Sequence, residues 1–298
     1  MKIEKVAAKL ADRYKIVDGG MFRLKDIDPG ETCDMSKEEA EELVTQGIAV
    51  TRELQEKLYA QDQWAVLLII QAMDAAGKDG LINHVMSGVN PQGCDVTSFK
   101  QPSSRELNHD YMWRAVCEIP ERGKIGIFNR SYYEEALVVR VHPELLQKQH
   151  LPPHLVGRNI WKQRFKDMSQ YERYLTRNGI VVRKFFLHLS KEEQKRRFLK
   201  RIEEPEKNWK FSQADVSERQ CWDKYMEAYE DMVQHTSTEY APWYVVPADH
   251  KWFTRLVVSS AIIQALEECR PAFPRLDEER RKELETARKM LEKDQGIG

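Results

Sequence analysis

The hydrophobic pattern changes period several times along the chain. From Lys37 to about Gln61 the apolar residues Leu43, Ile48, Leu54 and Leu58 recur on one helical stripe, with Ser36 as N-cap and Glu39 three residues on. Trp64–Ile70 is instead a continuous apolar run, the pattern of a strand buried on both faces of a parallel sheet. Shorter apolar runs at Asp95–Phe99, Lys124–Phe128, Ile180–Leu189 and Trp243–Val246 read as further strands. Helices are predicted from Leu81 and over Ser104–Cys117, Gly157–Arg177, Glu192–Arg201 and Trp252–Glu268. A capping box is expected at Ser190 to Glu193, where a strand hands over to its helix. Alternating strands and helices predict a three-layer α/β fold with a mainly parallel sheet, which binds ligands at the carboxyl ends of its strands. Residues 18–36 are turn-rich, and the tail from Asp277 is charged on most faces, as in a solvated or partner-packing helix.

Composition narrows the class. The 298 residues are 41% hydrophobic and 32% charged, with a formal net charge of −1. This describes a globular protein without bulk attraction to nucleic acid or anionic membrane, so any basic site must be local. The five cysteines are far apart and form no C-x-x-C pair, which indicates reduced thiols rather than zinc or disulfides. The charged start lacks a signal-type run, and no stretch approaches the ~18 apolar residues of a membrane span. A cytoplasmic location is expected.

The strand at 64–70 runs directly into Gln71-Ala72-Met73-Asp74-Ala75-Ala76-Gly77-Lys78-Asp79-Gly80. Aligned on Gly77-Lys78, this is the phosphate-loop pattern G-x-x-x-x-G-K-[ST] with Ala72 for the first glycine and Asp79 for the Ser/Thr. Gly77 and Gly80 would let the backbone approach an anion, the following helix would aim N–H groups at it, and Lys78 would add a mobile positive charge. A tight turn with a surface lysine fits the short motif about as well, but the preceding buried strand favours phosphate. Acids at Asp74 and Asp79 would repel phosphate unless a cation lay between, which points to Mg²⁺. Asp74 could also orient or deprotonate an acceptor oxygen, and Asp79 fits equally as an N-terminal helix cap.

Three further stretches carry candidate chemistry. The apolar strand at 124–128 ends in Asn129, where a metal-holding acid is usual, and Arg130 beside it could clamp a phosphoryl oxygen; a turn closed by Asn129 and Ser131 is the alternative. In Glu192–Lys210, Arg197 and Arg201 share a helix face, Pro205 ends it, and Lys207, Trp209 and Lys210 follow. That composition suits a lid over a charged substrate, though by the residues alone a solvated charged helix is favoured. The loops holding Asn90, Gln92 and Lys100, and the helix carrying His109, Asp110 and Arg114, could receive a second substrate or be ordinary turns and a salt-bridged helix. The histidines show no metal spacing, and His188 reads as structural.

Taken together, MDAAGKDG (73–80), SGVNPQG (87–93), FNRSYYE (128–134), EEQKRRFLKR (192–201), PEKNWKFSQAD (205–215) and APWYVVPADHK (241–251) resemble the polyphosphate kinase 2 family over about residues 60 to 270. The resemblance implies a thymidylate-kinase-like P-loop fold with a helical lid and Mg²⁺ dependence, Mn²⁺ substituting. It also implies phosphoryl transfer between inorganic polyphosphate and AMP, ADP or ATP, in a homodimer or homotetramer. Asp74 then belongs to the catalytic and metal centre together with Asn129. The loop from Ala75 through Ala76, Gly77, Lys78 and Asp79 to Gly80 holds polyphosphate. Arg130 contacts phosphate, and Arg197, Arg201 and Lys210 match basic lid positions, against the solvated-helix reading. Asn90, Gln92, Lys100, Arg114, Arg130 and Glu134 are the expected nucleotide contacts. Many members carry Asp where this chain has Asn129, and FNRSYYE resembles the subgroup that phosphorylates both AMP and ADP. The expected organisation is a helical extension over 1–60 packed on the core, a phosphotransferase core over 61–270 with a lid at about 192–220, and a helical tail over 271–298. The rival readings are an ATP-dependent nucleoside monophosphate kinase and a non-catalytic phosphate-binding module. Nucleic acid and membrane are not expected partners.

Overall fold

The computed structural model describes residues 2–293, with side chains for 6–209 and 211–292. The chain begins with α1 (Lys2–Tyr14), β1 (Lys15–Ile16), α2 (Lys37–Gln61), β2 (Ala65–Ala72), α3 (Lys78–Val85) and β3 (Cys94–Ser98). It continues through α4 (Ser104–Leu107), α5 (Trp113–Val116), β4 (Ile125–Asn129), α6 (Val138–Val141), α7 (Ile160–Arg177) and β5 (Ile180–His188). The last elements are α8 (Lys191–Glu203), α9 (Gln213–Glu218), α10 (Trp222–Thr236), β6 (Trp243–Pro247), α11 (Lys251–Glu268) and α12 (Glu278–Lys293).

Among the described residues the strands form one sheet in the order β1-β6-β5-β2-β4-β3. Every neighbouring pair is parallel except β1 with β6. Successive strand side chains point to opposite faces, and the apolar runs divide accordingly. Val66, Leu68 and Ile70 of β2 join Val181, Phe185 and Leu187 of β5 on the face covered by α1, α2, α3 and α11. Leu67 and Ile69 join Val182 and Phe186 on the other face, against α7 and α10. Each such Leu or Ile contributes roughly 1.5–3 kcal/mol when buried, so a sheet apolar on both faces is held from both sides. All five of the predicted strands form, ending within a residue or two of their expected limits.

The α/β expectation therefore holds, and the exceptions are local. A helix was expected over Ser104–Cys117, but the chain makes two short ones. The Asp110 carboxylate accepts from the Met112 N–H at 2.9 Å, and this side-chain turn diverts the backbone between α4 and α5. Helix α7 starts at Ile160 rather than Gly157. Ser36 and Glu39 form the full capping box expected of them. Ser190 and Glu193 form only half of one: Ser190 Oγ accepts from Glu193 N at 3.1 Å, while the Glu193 carboxylate is taken by Arg196 and Arg197. Ser190 N donates to Asp249 instead, at 2.8 Å. The first strand was not expected at all, because two residues carry no readable period. No described helix is long and apolar enough to cross a membrane.

Candidate active site

Strand β2 delivers the chain to the loop, and β4 beside it delivers Asn129 and Arg130. The loop winds tightly. Ala75 has φ 65° and Gly77 has φ 99°, so left-handed positions bracket Ala76. Alternation of this kind favours an anion-binding concavity; the Ala76 N–H is taken by the Met73 carbonyl at 3.3 Å, and the first turn of α3 follows. Lys78 is 9% exposed and its Nζ donates to the Ala72 carbonyl at 3.0 Å, which leaves two ammonium protons for a ligand. Burial pushes its pKa down, as does Arg130, against the pull of Asp74, Glu134 and Asp79. Among the described residues, nothing beyond the local backbone of α3 lies within 4 Å of where a Cβ on Gly80 would stand, so no packing contact requires glycine there.

The acids that looked out of place in the loop have specific partners. Asp79 Oδ1 accepts from Asn129 Nδ2 at 2.7 Å, linking the first turn of α3 to the end of β4. Asp74 Oδ1 accepts from Arg130 Nη2 at 2.8 Å, and Glu134 Oε2 accepts from Arg130 Nη1 at 3.2 Å. Arg130 itself sits at φ 65°, a left-handed conformation costing roughly 1–2 kcal/mol for a residue with a Cβ. Its N–H donates to the Ile70 carbonyl, which holds the strained turn in place. Gln71 Nε2 steadies the far side of Glu134 at 3.1 Å.

Beneath this turn lies a buried polar network. Glu172 of α7 accepts from the Tyr132 and Tyr133 hydroxyls at 2.9 and 2.7 Å and pairs with Lys184 of β5 at 2.6 Å, both charges wholly buried. Lys184 also donates to the Thr236 carbonyl at 2.7 Å. Burial alone would push the Lys184 ammonium down, and Glu172 opposes that. A satisfied network of this sort fixes its members in one arrangement, so the turn carrying Arg130 and Glu134 has a rigid floor.

Beyond Arg130 opens a cavity of about 420 Å³, lined by Lys100, Arg114, Arg130 and Glu134 together with apolar Phe99 and Val138. Four expected nucleotide contacts therefore meet at one place. Arg114 is steadied by the Lys100 carbonyl at 2.7 Å and lies over the Phe99 ring. Asn90 and Gln92 do not join them. They form a turn closed by Asn90 Oδ1 at the amino end of β3, near the foot of α2, whereas the cavity is at the carboxyl end. The short α3 carries the chain back down before β3 begins, which places this turn away from the cavity.

The segment expected as a lid divides in two. Gln194, Arg197 and Phe198 of α8 are buried, so this helix is a wall of the site. Arg197 gives all its donors to protein acceptors and has none left for polyphosphate. Arg201 lies 3.8 Å from Asp215 of α9 and over the Phe198 ring. The Lys210 side chain lies outside the described residues. Two neighbours of the loop lie in stretches that carry the family resemblance, though the sequence assigned neither a role. Burial first, then the charge of Asp74, pushes the Asp215 carboxyl up, which marks it as a third acid near the loop. Lys251, opening α11, comes 3.9 Å from where a Gly77 Cβ would stand. Burial pushes its pKa down, followed by the charges of Arg197, Lys207, Arg255 and Lys200. A cluster of cations thus converges on the outer side of the loop in a chain of nearly zero net charge.

A family model described as Polyphosphate kinase 2 (PPK2) matches residues 34–274. The chain belongs to the polyphosphate kinase 2 family. It is 51% identical over 292 residues to an ADP-polyphosphate phosphotransferase of Rhodopseudomonas palustris, covering 98% of this chain and 99% of the relative. It is 42% identical over 266 residues to an AMP/ADP-polyphosphate phosphotransferase of Meiothermus ruber, covering 88% and 95%. The crystal structure of polyphosphate kinase 2 from Arthrobacter aurescens TC1 superimposes with a TM-score of 0.84 at 36% identity, over 93% of this chain and 96% of that one. The P-loop kinase-like fold expected of the family is the fold observed.

Proposed function

We propose that this enzyme transfers the terminal phosphoryl group of inorganic polyphosphate to AMP or ADP, with ATP as the product of the second transfer. The observation that carries the reading is the position of Arg130. It reaches Asp74 on the phosphate loop with one nitrogen and Glu134 on the wall of the nucleotide-sized cavity with another. A donor phosphate held by the loop and an acceptor phosphate entering from the cavity would therefore meet at this guanidinium. Polyphosphate would lie in the loop against Lys78, its chain leaving past the cations around Lys251. Catalysis of this kind rests on orientation and neutralisation of charge in line with the transfer.

The residues present fit a divalent cation. Mg²⁺ asks for only one or two carboxylates besides phosphate oxygens and water, and no group of three ligating side chains exists among the described residues. Asp74, half-exposed beside the loop, would hold it. With Nδ2 committed to Asp79, Asn129 has only its carbonyl oxygen to offer. The ion, with Mn²⁺ as a substitute, would neutralise phosphate oxygens during transfer, and Asp74 would orient the attacking oxygen. A cytoplasmic location and a homodimer or homotetramer complete the proposal.

Product analysis tests it. Purified protein receives polyphosphate and Mg²⁺ with AMP or with ADP, and ATP serves as the donor in a control. ADP and ATP arising from AMP are the expected products. ATP from ADP alone would discard transfer to AMP, and product only with ATP as donor would favour a nucleoside monophosphate kinase. Polyphosphate binding without product would leave a binding module.

A further inference from the structure

The carbonyl oxygens of a tightly wound loop need partners when they are buried. Three consecutive carbonyls of the phosphate loop find them on one face of α8. Gln194 Nε2 donates to Asp74 O at 3.0 Å, and Arg197 Nη1 donates to Ala75 O and Ala76 O at 3.2 and 2.8 Å. Arg197 Nη2 reaches on to Ala248 O and Asp249 O at 2.7 and 3.0 Å, and its Nε donates to Glu193 at 2.7 Å. The guanidinium has five N–H donors, and all five are engaged. The side chain is 5% exposed and lies behind the loop. Gln194 is fixed in turn, since its Oε1 accepts from Arg219 at 3.0 Å.

We propose that Arg197, with Gln194, is a positioning residue that shapes the phosphate loop from behind and does not touch phosphate. The fork of Arg197 ties the loop to the turn before α11 and holds Ala75 in its left-handed conformation. The N–H cradle is thereby preformed before an anion arrives. A lysine at 197 would keep the charge but could not supply five donors in a fixed plane. Charge alone is therefore not what the position requires.

The inference rests on the reading of the loop as a phosphate cradle, and Arg197→Lys separates the two. Pyrophosphate affinity is measured by calorimetry, kcat and KM for polyphosphate by steady-state assay, and amide exchange over residues 73–81 in the unliganded protein by mass spectrometry. The variant is expected to bind pyrophosphate at least tenfold more weakly and to exchange the loop amides faster without ligand. KM should rise more than kcat falls, because a saturating anion restores the cradle. Pyrophosphate affinity within twofold of the wild type would overturn the proposal, since charge would then suffice. So would weakened binding with unchanged exchange, which means direct contact. Should Arg197→Lys not fold, Gln194→Met carries the test, because the only loop carbonyl Gln194 holds is that of Asp74, its Oε1 being turned to Arg219. It is expected to weaken pyrophosphate about threefold with faster loop exchange, and wild-type behaviour in both would overturn the idea. A wild-type protein that binds no pyrophosphate would instead remove the reading of the loop, while exchange in the unliganded protein still judges Arg197.

Discussion

Arg130 spans two carboxylates with two different nitrogens, at 2.8 and 3.2 Å, and a single lysine ammonium cannot reproduce that reach. Arg130→Lys is expected to lower kcat/KM about 100-fold, the scale of losing one preorganised donor at a reacting centre. Its thermal midpoint should stay at the wild-type value, and activity within threefold of wild type would end the bridging role. Asp74→Asn tests the other side. It keeps the shape and a hydrogen bond for Arg130 but removes the charge that would hold Mg²⁺, so turnover at saturating Mg²⁺ should vanish while polyphosphate binding persists. Near-normal turnover would sink the proposed role of Asp74. At this scale the sequence was legible where a residue's letter carries its chemistry, as with Asp74, Lys78, Asn129 and Arg130. It was silent where the role comes from neighbours. Gln71 and Gln194 are ordinary amides until β2 and α8 bring them to Glu134 and Asp74 O. Nor does any letter announce that Ala75 and Arg130 take positive φ.

Elements were legible in proportion to the length of their period. The eight residues of β2 and the nine of β5 are mostly apolar on both faces, with Gln71, Arg183, Lys184 and His188 as the polar exceptions, and could be read directly. The two residues of β1 could not, and the break between α4 and α5 depends on a single Asp110 turn. Strand β1 nevertheless closes the β6 edge of the sheet, and α1 before it buries Ala7, Leu10, Ala11 and Tyr14. Deleting residues 1–16 would bare that edge and the apolar face of α11. An uncovered edge strand invites pairing with other chains, and the lost burial is worth several kcal/mol at roughly 1.5–3 per large side chain. The truncated protein is expected to melt about 10 °C lower and to elute partly as aggregate in gel filtration. An unchanged melting point would show that the first two elements add nothing to the core.

Across the whole molecule, the end of β5 is where stability and site converge. His188 is buried there, two residues before Ser190, which caps α8 and so begins the wall that holds the loop. Burial pushes its pKa down to about 4, against the opposing pull of Asp249, Asp28 and the Ile27 backbone. The unfolded chain takes that proton from about pH 6.5 downward, while the folded protein resists it until about pH 4. A depressed folded value means the contribution is complete above about pH 6.5 and is lost as pH falls toward 4. The slope approaches 1.4 kcal/mol per pH unit, so roughly 2 kcal/mol should go between pH 7 and pH 5. Urea denaturation at pH 7, 6 and 5 measures it, and His188→Phe should flatten the profile over this window. His84 shifts in the same direction for the same reason, so a remnant of the slope should survive in that variant. A His188→Phe protein with the full wild-type slope would assign the acid sensitivity elsewhere. Because α8 starts from the same junction, loop amides over 73–81 should exchange faster at pH 5 than at pH 7 after correction for intrinsic rates, in the wild type and much less in the variant.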